Sequence, residues 1–92
     1  GVGGTTADTV GRILRELAER SQVICVTHAP QVAARAHNHM CVVKREAETD
    51  IAALNPEQRV DELARMLAGA DVTEKTRDYA QTLLNEAHQA AK

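Results

Sequence analysis

The sequence predicts an α/β fold, and three observations carry the prediction. Val23-Ile24-Cys25-Val26 is an unbroken, mostly β-branched run, the pattern of a strand buried on both faces of a parallel sheet. Helical periodicity stands on either side of it, the order expected of a βαβ-type crossover. A strong helix start at Asn55-Pro56 then opens a pair of helices that fills the last third of the chain. The predicted order is helix, strand, helix, strand, strand, helix, helix, that is, about three strands and four helices.

The first helix begins after Gly1-Val2-Gly3-Gly4. Thr5, Thr6 and Asp8 supply caps and an early acid at its positive end. Val10, Ile13, Leu14, Leu17 and Ala18 recur at helical spacing and form one apolar stripe. The run 23–26 follows and ends at Thr27-His28-Ala29-Pro30. Pro30 suits the first turn of a short helix reaching about Ala36. Met40-Cys41-Val42-Val43 reads as the second strand, and residues 49–54 as a third, hairpin-paired with it across a polar turn. Asn55 caps the next helix, Pro56 takes its first position, and Gln58 stands where a capping box needs it. Val60, Leu63, Ala64 and Leu67 give that helix its stripe, and Gly69 ends it. The last helix starts near Asp71-Val72-Thr73-Glu74 and carries Tyr79, Ala80, Leu83, Leu84 and Ala87.

Composition bounds what such a chain can do. Its 92 residues make one domain, with no Phe or Trp and one Tyr. Ala is the commonest apolar residue, so each buried position stabilises little. A thin core, a glycine-rich opening and a helix leading into a buried strand together predict a piece of a larger α/β domain, with its neighbouring strand upstream of Gly1. No apolar run approaches the length of a membrane span, and no signal-peptide pattern opens the chain. Cys25 and Cys41 lie in apolar runs without a CxxC, which predicts two buried, reduced thiols in a cytoplasmic protein. The net charge of −2 speaks against direct binding of nucleic acid by this segment. The charge is uneven: residues 1–45 carry six basic and three acidic side chains, residues 46–92 five and ten. Phosphate chemistry therefore belongs to the first half.

His28 is the most informative position. It stands at the predicted carboxyl end of a buried strand, where ligands of open α/β sheets sit, and before a helix start that favours anions. There a His can donate to a phosphate oxygen or orient water, or it can simply pack at a helix start. Cys25, His28, His37, His39 and Cys41 invite a zinc reading. None of the usual paired-ligand spacings is present, so no metal ligand is assigned. No GxxxxGK[ST] loop occurs, and no acidic pair follows an apolar strand. Any nucleotide site is partial, and the chain alone is expected neither to hydrolyse ATP nor to hold it tightly. Two other readings stay open: a helical interaction module docking through the acidic helix pair, and a small metal-binding domain.

The string Val23-Ile24-Cys25-Val26-Thr27-His28-Ala29-Pro30-Gln31-Val32-Ala33-Ala34 closely resembles a segment of the bacterial RecN family, DNA-repair members of the SMC-like branch of ABC-type ATPases. Gly1-Val2-Gly3-Gly4 with Val10-Gly11, and Glu62-Leu63-Ala64-Arg65-Met66-Leu67-Ala68-Gly69 with Val72-Thr73, resemble two further stretches of that family in the same order. Ala29 stands where Leu is usual, and Ala68 replaces the first Gly of a usual pair.

The resemblance implies that residues 1–92 form the C-terminal lobe of a P-loop NTPase head of the ABC/SMC type. A D-loop remnant would lie at 1–4, an H-loop region at 27–31 and a C-terminal helix pair at 56–89. It implies His28 as the switch histidine on the γ-phosphate side of ATP. Thr27, Gly1, Gly3 and Gly4 would be nucleotide-binding residues. ATP with Mg²⁺ would be the cofactor of the intact protein. Its partners would be the remainder of the head, a second head in a homodimer, and DNA, in repair by recombination. The place of action would be the cytoplasm, at the nucleoid, with no membrane contact.

Overall fold

The structure, a computed structural model, describes residues 4–89. Four helices and one hairpin are formed: α1 (Gly4–Ala18), α2 (Pro30–Ala33), β1 (Met40–Arg45), β2 (Glu48–Ala53), α3 (Pro56–Ala68) and α4 (Glu74–Gln89). Among the described residues there are two strands rather than the three predicted.

The elements set by local chemistry form where the sequence places them. Asn55 accepts from the Gln58 backbone N–H at 2.8 Å, and the Gln58 side chain accepts from the Asn55 backbone N–H at 3.0 Å. That reciprocal box satisfies two donors that the first turn leaves free. Gly69 ends α3 with φ +66°, a left-handed conformation that glycine adopts without a Cβ penalty. Thr73 caps α4, its Oγ1 accepting from the Thr76 N–H at 3.2 Å. β1 and β2 pair antiparallel, with Met40 opposite Ala53 and Arg45 opposite Glu48. Cys41 and Val43 are half-buried, whereas Met40, Val42 and Ile51 are exposed. One apolar face of the hairpin is thus left open to solvent.

Residues 23–26 correct the prediction most sharply. Among the described residues they form no strand and pair with none, and Ile24 and Val26 are 81% and 97% exposed. A strand is stabilised by ladder partners, and the two strands that do form use each other. Burial of Cys25 fails for the same reason: its thiol is exposed, and that of Cys41 is half-buried. On α1, Val10, Ile13 and Leu17 are largely exposed, while Ala7 and Gly11 are buried. The helix packs through its small residues and leaves its large apolar stripe uncovered.

The core lies between α2, α3 and α4. It comprises Ala33, Ala34, Val60, Leu63, Ala64, Ala80, Leu84 and Ala87, of which five are Ala. Leu63 is the largest fully buried side chain. Small side chains let the helices approach closely, but each contributes little transfer free energy.

Candidate functional site

His28 sits on a bend between residues 23–26 and α2. It is exposed, and its imidazole has no hydrogen-bond partner among the described residues. Beside it, Thr27 Oγ1 accepts from the Ala29 N–H at 3.0 Å, a short turn that sets the entry of the chain into α2. Pro30 occupies the first turn of that helix, which ends at Ala33 rather than Ala36 and continues as turns.

The position of this bend is fixed from α1. Gly11 faces α2 so closely that a Cβ would lie 3.0 Å from the Gln31 carbonyl oxygen and 3.3 Å from the Val32 Cα. Arg35 Nη2 donates to Asp8 Oδ1 at 3.0 Å, and Asp8 also pairs with Arg12 at 3.4 Å. Arg15 Nη1 donates to the Arg35 carbonyl at 2.6 Å. The result is a clamp of backbone contact and ion pairs that holds the 27–33 segment on α1.

The clamp presents two polar side chains side by side at the start of α2. A free imidazole and a Thr hydroxyl still able to donate stand together at a helix start, in the basic half of the chain. Gly1 and Gly3 lie outside the described residues, and Gly4 is the first residue of α1. No group of three or more His, Cys, Asp or Glu able to hold a metal ion occurs among the described residues. No described helix is long and apolar enough to cross a membrane.

Comparison with known proteins decides the kinship. The chain is 47% identical over 88 residues to the DNA repair protein RecN of Vibrio cholerae. It is 45% identical over 92 residues to that of Haemophilus influenzae, and 37% identical over 93 residues to that of Bacillus subtilis. By sequence, the chain belongs to the RecN family. These alignments cover 91%, 96% and 97% of the chain, and the chain spans 16% of the length of each of these relatives. No family model matches it.

A second polar cluster in this RecN segment escaped the sequence reading. Arg59, on α3, is 9% exposed. Its Nη2 donates to the Ala33 carbonyl, at the end of α2, at 3.0 Å and to the Ala36 carbonyl in the turns that follow. Helix periodicity was the available cue, because Arg59 lies four residues before buried Leu63. Burial, reinforced by Arg15, holds the Arg59 pKa below its usual value.

Two histidines border this guanidinium. Burial lowers the His39 pKa, Arg59 lowers it further, and Glu62 opposes the shift. Burial also lowers that of His88, helped by Arg59, Arg15 and His37 and opposed by the Ala34 carbonyl. Glu62 is held below the usual carboxylate range by its hydrogen bond from Arg65. In the unfolded chain each imidazole takes its proton near about 6.5, whereas the folded state resists it. Stability is therefore present above that pH and falls as pH drops through the lower folded-state values. Glu62 adds a loss of the same sign at lower pH. Urea midpoints are expected to fall between pH 7.5 and 5.5, and less so in a His39→Gln/His88→Gln double variant. A midpoint that rises on acidification would contradict this assignment.

Proposed function

We propose that this chain is one lobe of a composite ATPase head in a RecN-type DNA repair protein, with His28 and Thr27 forming one wall of its nucleotide site. The observation that carries the reading is the run 23–26. It is apolar and exposed over residues 24–26, and it leads to an exposed His28 without a partner among the described residues. Such a run costs free energy in water and suits a strand completed by neighbours. A RecN-length protein has ample chain to provide them, because this segment spans 16% of its relatives.

In this reading the remainder of the head covers residues 23–26, the α1 stripe and the open hairpin face. ATP bound with Mg²⁺ would supply the phosphoryl group whose hydrolysis drives the intact protein. His28 donates a hydrogen bond towards the γ-phosphate side, and Thr27 holds the bend that aims it. Gly1 and Gly3, with Gly4 at the start of α1, would belong to a D-loop that a second head meets in a homodimer. DNA is engaged by other parts of the intact protein, in the cytoplasm at the nucleoid.

Val26→Asp tests this arrangement. Val26 is 97% exposed in the chain alone, so the substitution is expected to change its stability by less than about 0.5 kcal/mol. In the intact protein the same carboxylate would enter a buried sheet, where an unpaired charge costs several kcal/mol. The expected result is an unaffected chain and an intact protein that loses folding and ATP turnover. Equal tolerance in both would mean that residues 23–26 form an outer surface, and the composite-head reading would fall.

A further inference from the structure

The loop 37–39, the start of α3 and the end of α4 border an open cavity of about 580 Å³, within the size range of small-molecule sites. His37 and His39 line it from the loop, Arg59 from α3, and Asn85 and His88 from α4. His28 does not line it, so this cavity is separate from the proposed nucleotide contact.

Its chemistry is one-sided. No Asp or Glu lines it, although most of its walls come from residues 46–92, which carry ten acidic and five basic side chains. Arg59, His88 and three amides come from the acidic half of the chain, and His37, Asn38 and His39 from the loop before it. Arg59 Nε and His39 Nδ1 are buried without a hydrogen-bond partner among the described residues. Arg59 is also absent from every ion pair found among those residues. A buried donor without an acceptor and a buried cation without a counter-charge are both costly. Both are relieved by one negatively charged acceptor.

We propose that this cavity binds a small phosphate-bearing anion. The donors converge from three elements, which suits a tetrahedral group with acceptor oxygens on several sides better than a planar carboxylate. Arg59 Nη1 and Nη2 already donate to the Ala33, Ala34, Ala36 and His37 carbonyls, so Nε is the donor it offers, and its positive charge favours phosphate. No Phe, Tyr or Trp lines the cavity to stack a base, so the phosphate is the recognised part.

The test is a titration of the ¹⁵N-labelled chain with inorganic phosphate and, separately, with glycerol phosphate, against chloride at matched ionic strength. Saturable amide shifts are expected at residues 37–39, 59 and 85–89. His37 is exposed, so His37→Ala leaves the fold in place, and His88→Ala, which loses a contact to the Ala34 carbonyl, is compared at matched folded fraction. Each is expected to weaken binding by about tenfold, the scale of one strong donor. A tighter response to glycerol phosphate identifies a phosphomonoester as the ligand, and a tighter response to inorganic phosphate identifies the free ion. Shifts that chloride reproduces would overturn the proposal, as would affinities unchanged in both variants. Saturation of the same amides by duplex DNA at far lower concentration would replace a small ligand with a nucleic-acid backbone.

Discussion

Replacing His28 with Ala in an intact RecN-type protein is expected to cut ATP turnover by about 10²–10³-fold, the cost of removing one prepositioned donor from a developing charge. The same change is expected to move stability by less than about 0.5 kcal/mol, because His28 is exposed and holds no partner among the described residues. The two effects separate because the clamp, not the imidazole, positions the bend. Gly11 against Gln31 and Asp8 against Arg35 remain when the ring is gone. His28→Gln keeps a neutral donor and should recover part of the lost rate, chiefly in kcat rather than KM. The measurements are steady-state ATP hydrolysis and thermal unfolding on the same preparations. Unchanged turnover in His28→Ala would make His28 a residue of the bend and nothing more.

The parts of the fold that could be read from the chain are those fixed by neighbours in sequence. Asn55, Pro56 and Gln58 specify the start of α3 through contacts within one turn, and the short polar turn pins the hairpin register. The parts that could not be read depend on what lies across from them. Residues 23–26 advertise burial through β-branching, but a strand exists only with a partner, and that information is nonlocal. On α1 the large stripe of Val10, Ile13 and Leu17 drew attention from Ala7 and Gly11, whose smallness lets α2 approach. The candidate site divides in the same way. His28 was legible from its place before Pro30, whereas the cluster around Arg59 brings together residues from three separate elements.

Arg59→Met is expected to destabilise the chain by about 1–3 kcal/mol, the cost of leaving buried carbonyls without their donor. Methionine fills much of the same volume but donates nothing. α2 ends at Ala33, and among the described residues no backbone N–H bonds the carbonyls of Ala34 and Ala36 beyond it. Arg59 donates to both and to the Ala33 carbonyl, and water reaches neither Ala33 nor Ala34 well, at 7% and 0% exposure. Buried acceptors stripped of their donor cost far more than the bond itself contributed. Arg59→Lys should recover only part of the loss, since one ammonium cannot span carbonyls that a guanidinium fork reaches together. With total stabilities of about 5–15 kcal/mol for ordinary domains, a core built mostly of Ala leaves little margin for the Met variant. Urea unfolding gives the magnitude, and hydrogen exchange gives the location. Protection should collapse first over residues 30–36, and the bend carrying His28 should loosen with them, because it leads directly into α2. A loss below about 1 kcal/mol, with exchange at 30–36 unchanged, would show that α1 alone holds that segment through Arg35 and Arg15.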